Sequence, residues 1–197
     1  MSAPMPGHPP QAPLMPPSPW IVRHASLVPP GARVLDLACG QGRHARWFGE
    51  RGRRVLAVDR DAGALAALAG VPDVEIAAVD LESGAWPLAG ARFDAIVVTN
   101  YLHRPLFRDL LAALADAGVL LYETFARGNE AFGRPSNPAF LLEPGELLRI
   151  VAGRLEVVAY EEGRIAGEGR DSVVQRIAAV GLRRSWPPVL PSAGPSD

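Results

Sequence analysis

Residues 34 to 44 have the sequence VLDLACGQGRH, an apolar run that leads directly into two glycines separated by one residue. The apolar residues predict a buried strand, and the residues that follow predict a helix over 44–51 that ends at Gly52. Gly40 and Gly42 let the chain turn sharply between the two elements and approach a ligand closely. The stretch therefore predicts a strand, a ligand-binding turn and a helix.

The same alternation continues along the chain. The predicted strands are 33–38, 54–58, 74–79, 93–99 and 119–123, and the predicted helices are 44–51, 62–69, 106–117 and 145–152. Apolar strands separated by helices indicate a parallel sheet covered on both faces. Two further strands, 155–160 and 172–180, are joined by a Gly-rich link too short for a helical crossover. We therefore expect a Rossmann-like α/β fold with a seven-stranded, mostly parallel sheet, helices on both faces and a C-terminal antiparallel hairpin.

Proline-rich ends flank this pattern. Residues 1–19 contain eight of the 20 prolines, and residues 187–197 contain four more. Such segments bury little apolar surface and do not join a sheet. We expect a disordered arm over 1–19, one folded domain over 20–186 and a disordered tail over 187–197.

The composition excludes several classes of protein. The 197 residues include 21 acidic side chains and 20 basic ones, for a net charge of -1, and every basic residue is arginine. Without lysine, a Schiff-base enzyme or a P-loop enzyme is excluded, and the neutral balance argues against nucleic-acid partners and membrane surfaces. The single cysteine and four dispersed histidines predict no disulfide and no metal site. Since no long apolar run or leader is present, we expect a cytoplasmic protein.

Two carboxylates narrow the choice of ligand. Asp59 ends the second predicted strand, 19 residues after Gly40, where it can accept hydrogen bonds from both hydroxyls of a ribose. The spacing Gly40-x-Gly42-x-x-Ala45 also fits the dinucleotide fingerprint of NAD-dependent oxidoreductases, which stay an alternative. Asp36, four residues before Gly40, would repel a pyrophosphate but could hold an ammonium group, directly or through water. A cationic nucleoside cofactor is therefore favoured.

On these residues the sequence resembles the class I S-adenosylmethionine-dependent methyltransferases, whose first motif is acidic-x-Gly-x-Gly-x-Gly. Asp36, Ala38, Gly40 and Gly42 fill the motif, with alanine in place of its first glycine. The resemblance covers roughly residues 30–182, including the terminal hairpin. Within the family, the pattern Asp-x-x-Cys-Gly-x-Gly-Arg and the short chain are most similar to small bacterial methyltransferases of the tellurite-resistance type.

The resemblance implies a set of residues that bind S-adenosylmethionine. Asp59 would bind the ribose with Arg60 near the adenine, while Asp80 and the backbone of Leu81 would bind the adenine ring. Asn100 and Tyr101 end the fourth strand and would face the reactive methyl group. The full predicted cofactor set is Asp36, Ala38, Gly40, Gly42, Asp59, Arg60, Asp80, Leu81 and Asn100. A solvated strand end or a helix cap is the alternative for Asp80 and Leu81, and a capped strand end is the alternative for Asn100 and Tyr101.

A long polar and aromatic loop follows the fifth strand and is a candidate lid over the acceptor. The predicted acceptor-binding residues are Tyr101, Glu123, Asn129, Phe132, Arg134 and Asn137, and the predicted catalytic residues are His103, as a base, and Tyr101. A surface loop with no function is the alternative. A base matters only if the acceptor carries a proton, because the sulfonium of the donor is already activated.

These observations predict an S-adenosylmethionine-dependent methyltransferase that acts on a small molecule by in-line displacement. Methylation of RNA or protein is an alternative, as is a module that binds the cofactor without catalysis. The sequence Asn100-Tyr101-Leu102-His103 lacks the Asn-Pro-Pro-Tyr motif of nucleic-acid enzymes, whereas Arg51, Arg53 and Arg54 form a basic cluster that would favour RNA. The sequence predicts no oligomeric state.

Overall fold

The computed structural model describes residues 15–167 and 170–190. Residues 1–14 of the predicted arm and residues 191–197 of the predicted tail lie outside the described residues. The strands are β1 Arg33–Leu37, β2 Arg54–Asp59, β3 Val74–Ala78, β4 Phe93–Thr99, β5 Leu114–Phe125, β6 Leu155–Ile165 and β7 Ser172–Gly181. They form one sheet in the order β3-β2-β1-β4-β5-β7-β6, in which β7 runs antiparallel to both of its neighbours, β5 and β6, and the other pairs are parallel. The predicted fold class is confirmed.

Helices cover both faces of the sheet. They are α1 Pro19–His24, α2 Arg43–Gly49, α3 Ala62–Leu65, α4 Phe107–Ala113 and α5 Glu146–Val151, with 3-10 helices at Ala25–Leu27, Ala66–Leu68, Arg104–Leu106, Asn129–Ala131 and Pro138–Phe140. Helices α1 to α3 pack on one face and α4 and α5 on the other. Neighbouring strand residues such as Val34 and Leu35 enter opposite cores, which is why the strands are apolar throughout. In the described part of the chain no helix has the length and apolarity to cross a membrane.

The helix predicted over 106–117 and the strand predicted over 119–123 were wrong at their junction. Helix α4 ends at Ala113, and Leu114 already pairs with Phe93 in an early start of β5. Asp116 then forms an ion pair with Arg92, with a nitrogen-oxygen distance of 2.7 Å. These tertiary contacts override the helical periodicity of the segment.

The terminal hairpin is longer than predicted. Strand β6 continues to Ile165, through residues assigned to the link from 161 to 170. Cross-strand ion pairs support the extension, because Arg176 of β7 lies opposite Glu161 and Arg164 contacts Asp171. The connection between the strands is therefore shorter than the sequence suggested.

Packed structure begins before residue 20. Pro19 is the first residue of α1, a position that proline favours, and Ser18 before it is 4% exposed. Trp20 and Ile21 then enter the core beside β5. Helix α1 is thus an integral part of the domain.

Replacement of Ile21 by alanine tests this conclusion. Ile21 is completely buried, so the Ile21→Ala variant should lose about 2–4 kcal/mol of unfolding free energy through lost apolar burial and a residual cavity. Val22→Ala, on the exposed side of the same helix, should change it by about 0.5 kcal/mol or less. Equal urea midpoints for Ile21→Ala and the parent would show that α1 is not part of the core.

Candidate functional site

Two neighbouring cavities open at the carboxyl edge of the sheet, where ligands of open α/β folds bind. The first, of about 400 Å³, is lined by Ala38, Asp59, Arg60, Val79, Asp80, Leu81, Glu82, Asn100, Tyr101 and Phe140. The second, of about 320 Å³, is lined by Met15, Ala38, Cys39, Gly40, Gln41, Arg43, Thr99 and Asn100. Ala38 and Asn100 line both, so the cavities adjoin at the loops that follow β1 and β4.

The backbone at this junction is strained. Ala38 has φ 53° and Asn100 has φ 56°, both in the left-handed region. This conformation costs an alanine about 1–2 kcal/mol, which explains why the related motif has glycine where this chain has Ala38. Gly42 is also left-handed, and a Cβ there would collide with Leu68. Strain of this kind persists where the surrounding structure imposes it, often at ligand sites.

Asp59 is held by the turns around it. Its Oδ2 accepts a hydrogen bond from Gly40 N–H at 2.7 Å, and its Oδ1 accepts one from Asp61 N–H at 3.0 Å. Each carboxylate oxygen has a second lone pair, so two acceptor positions stay available at the first cavity. This arrangement suits two adjacent hydroxyl groups, as in a ribose.

The two cavities differ in charge. The first has three carboxylates, on Asp59, Asp80 and Glu82, and one cation, on Arg60. In the second, Arg43 is the one charged side chain among the described lining residues. The pair of cavities therefore suits a ligand with hydrogen-bond donors or positive charge at one end and an anion at the other.

Asp36 lies beneath the site rather than in it, which corrects the expected contact with an ammonium group. Its side chain is 1% exposed, and among the described residues it lines neither cavity. Its Oδ2 accepts a 2.8 Å hydrogen bond from Ala45 N–H in the first turn of α2. Burial raises its pKa to about 7, against the opposing effect of the Ala45 bond. Asp36 supports the turn from below.

The raised pKa of Asp36 predicts a pH dependence of stability. The unfolded carboxyl group has its ordinary pKa near 3.8, so between pH 4 and 7 the folded state holds more protons and stability falls as pH rises. Asp36→Asn has no proton to lose. The difference in unfolding free energy between Asp36→Asn and the parent should therefore shift in favour of the variant by up to about 4 kcal/mol as the pH rises from 4 to 7. Denaturant titrations across this range measure the difference.

Glu75→Gln serves as the control, because it neutralises an exposed carboxylate on β3, away from Asp36. A constant difference between Asp36→Asn and the parent across the range would contradict the assignment.

The loop after β4 is fixed by two hydrogen bonds. Asn100 N–H donates to Glu123 C=O at 2.9 Å, and the Tyr122 hydroxyl donates to Tyr101 C=O at 2.7 Å. Burial, reinforced by Glu82, raises the pKa of Tyr101. Its phenol therefore stays protonated at neutral pH and can donate a hydrogen bond but not act as a base.

Two predicted residues of the reaction centre lie elsewhere. His103 lines neither cavity in the described structure, and its carbonyl accepts the Leu106 N–H that starts a 3-10 helix. Glu123 is 8% exposed, with its carboxylate 2.8 Å from the Arg176 guanidinium. The carboxylate of Glu123 is therefore engaged by Arg176, on the face of the sheet that packs against α1.

The predicted lid residues make contacts within the loop and with β6 and β7 instead of lining the cavities. Asn129 is buried, where its amide donates to Pro135 C=O and accepts from Val173 N–H. The Phe132 ring lies 4.8 Å below the Arg164 guanidinium, Asn137 caps the 3-10 helix at Ala139, and Arg134 is exposed. Within residues 15–167 and 170–190, none of these four lines either cavity. The loop reaches the first cavity through Phe140 instead.

Several residues that line the two cavities were not predicted from the sequence. Arg43 and Glu82 directly follow predicted positions, so an extension of the motifs by one residue would have found them. Phe140 and Met15 carry no such signal, because only the tertiary fold brings them to the cavities.

Both the sequence and the fold of this chain are similar to those of known methyltransferases. A sequence family described as a methyltransferase domain matches residues 34–121. The fold is similar to that of TehB from Haemophilus influenzae, at 20% identity over 82% of this chain and 61% of that one, with a TM-score of 0.69. It is also similar to coclaurine N-methyltransferase bound to N-methylheliamine and S-adenosylhomocysteine, at 13% identity over 81% of this chain and 70% of that one, with a TM-score of 0.61.

The family match over residues 34–121 and the shared fold support the predicted resemblance to the class I S-adenosylmethionine-dependent methyltransferases. The predicted family and cofactor are thereby confirmed.

A short stretch of this chain, 39 residues, is 56% identical to the ribosomal RNA small subunit methyltransferase C of Chromohalobacter salexigens. The match covers 20% of this chain and 12% of that protein, while the chain spans 61% of the length of TehB. The similarity therefore covers a small part of the first protein and less than two thirds of the second.

Proposed function

We propose that this methyltransferase transfers a methyl group from S-adenosylmethionine to a small-molecule acceptor. The observation that carries the proposal is the pair of oppositely charged cavities that meet at Ala38 and Asn100. S-adenosylmethionine has hydroxyl and amino donors at its adenosine end, for the carboxylates of the first cavity, and a carboxylate beside an ammonium group at its other end, where Arg43 can bind the carboxylate.

In the proposed complex the adenosine end occupies the first cavity. Asp59 accepts from the ribose hydroxyls through its two remaining lone pairs, and Asp80 accepts from the adenine amino group. Asp80 Oδ1 already accepts from Glu82 N–H at 2.9 Å, which fixes the orientation of the carboxylate. The buried Leu81 packs against the ring and offers its backbone N–H, with Arg60 beside it.

The bound cofactor supplies a methyl group already activated by its sulfonium, so the chain has to align the acceptor and exclude water. The first cavity offers Tyr101, Glu82 and Phe140 for this purpose. The Tyr101 phenol donates a hydrogen bond to the acceptor, the Glu82 carboxylate takes a proton where the acceptor has one to lose, and the Phe140 ring covers the opening. These residues replace His103 and the earlier lid residues in the proposed reaction centre.

A small acceptor fits the charge distribution better than RNA. Arg51, Arg53 and Arg54 precede or begin β2, so they lie at the amino edge of the sheet, opposite the cavities. Arg51 stacks on Trp47 at 4.2 Å, and Arg53 donates to Val28 C=O at 3.1 Å. With the net charge at -1, this cluster gives no basic path to the carboxyl edge.

Asp59→Asn tests the cofactor site. Loss of the charged acceptor should weaken binding of S-adenosylhomocysteine by about 2 kcal/mol, roughly thirtyfold, in isothermal titration calorimetry. Glu75→Gln is the matched control, because it neutralises an exposed carboxylate on the neighbouring strand, away from both cavities, and should bind as the parent does. Unchanged affinity in Asp59→Asn, or tighter binding of NAD than of S-adenosylhomocysteine by the parent, would refute the assignment.

The acceptor class is tested with radiolabelled S-adenosylmethionine and a host extract separated into small-molecule, RNA and protein fractions. We expect label to enter the small-molecule fraction with the parent and to fall strongly with Asp59→Asn. Enzyme-dependent label in the RNA or protein fraction instead would replace the proposed acceptor class with that macromolecule.

A further inference from the structure

The residues before α1 lie against the second cavity. Residues 15–18, called here the N-terminal strap, place Met15 in the cavity lining. Pro16 C=O accepts a hydrogen bond from Arg43 Nη1 at 3.3 Å, and Ser18 N–H donates to His44 Nε2 at 3.0 Å. Both contacts are made by the first two residues of α2. The strap is therefore bound to the helix that follows the ligand-binding turn.

His44 connects the strap to the cavity wall. Its side chain is 1% exposed, and burial lowers its pKa to about 3, so the ring is neutral. Because Nε2 accepts from the Ser18 N–H, the ring proton is on Nδ1, which faces Thr99 Oγ1 at 3.5 Å. Thr99 in turn lines the second cavity. One imidazole thus contacts both the strap and the end of β4.

The proline content of the strap lowers the conformational entropy that is lost when it binds to α2. Pro16, Pro17 and Pro19 restrict the backbone before folding, so little conformational entropy is lost when the strap binds. Ser18 has φ -57° and ψ 130°, an extended conformation that the proline after it favours. A weak set of contacts is enough to hold such a segment.

We propose that the strap encloses the amino-acid end of the methyl donor, with Arg43 facing its carboxylate and His44 as the positioning residue that holds the strap. The inference rests on the proposed function. Arg43 lines the second cavity as its one charged side chain among the described residues, and a guanidinium binds a carboxylate strongly. Because Arg43 also donates to Pro16 C=O, occupancy of the cavity and docking of the strap share a side chain.

Ser18 offers a closely matched pair of variants. Ser18→Pro removes the N–H that His44 accepts and places the proline Cδ against the imidazole, so it separates the strap from His44, while the φ of -57° suits proline. Ser18→Ala keeps that N–H and removes only a hydroxyl that has no hydrogen-bond partner among the described residues. The two variants therefore differ in the bond to His44 while they alter the same buried position.

The experiment compares two ligands by calorimetry on the full chain. S-adenosylhomocysteine has the amino-acid end, whereas 5′-methylthioadenosine has the same nucleoside and sulfur without it. Ser18→Pro should weaken binding of S-adenosylhomocysteine about fivefold or more, because the strap no longer docks on His44, and leave binding of 5′-methylthioadenosine unchanged. Ser18→Ala should bind both ligands as the parent does. Arg43→Gln, a second variant away from the core, should weaken S-adenosylhomocysteine about tenfold or more and spare 5′-methylthioadenosine.

The outcomes separate this inference from the proposed function. If the parent binds neither ligand, the proposed function itself fails. If the parent binds both and Ser18→Pro does not lower the affinity for S-adenosylhomocysteine, the role of the strap is overturned; if Arg43→Gln does not lower it, the role of Arg43 is overturned. An equal loss for both ligands in both variants also overturns it, because that result marks a general distortion of the site. Melting temperatures of all variants identify any loss of folded protein.

Discussion

The turn between β1 and α2 is the constraint on which the rest of the site depends. Ala38, Gly40 and Gly42 all have left-handed φ angles, and the hydrogen bond from Gly40 N–H to the Asp59 carboxylate, at 2.7 Å, ties this turn to the end of β2. The bond places a fixed carboxylate beside the exposed backbone of the turn. Both cavities begin at residues of this turn, so their positions follow from its geometry.

Burial gives the two aspartates of this region different tasks. Asp36 is enclosed beneath the turn, where it accepts from Ala45 N–H and its pKa rises to about 7. Asp59 is partly exposed, accepts from two backbone donors and keeps lone pairs at the first cavity. The sequence pattern cannot separate these roles, because position near a glycine turn does not determine whether a carboxylate faces solvent or the core.

Local periodicity and turn chemistry were enough to predict the sheet, its helices and the carboxyl-edge acids Asp59 and Asp80. The failures share one physical cause, since each involves a side chain whose role depends on a distant partner. Asn129 serves the backbone of Val173, 44 residues away, and the segment after Ala113 leaves the helix to pair with β4. Phe140 reaches the first cavity only because the loop after β5 folds back over the edge of the sheet. No local pattern encodes such contacts.

The first turn of α2 joins three parts of the molecule through three consecutive residues. Arg43 holds the carbonyl of Pro16, His44 accepts from the N–H of Ser18, and Ala45 donates to Asp36. The same helix therefore fixes the strap on one side and the strand beneath the turn on the other. In the proposed complex, a ligand carboxylate bound by Arg43 would also order the side chain that donates to Pro16 C=O, so that binding of the ligand and docking of the strap would support each other.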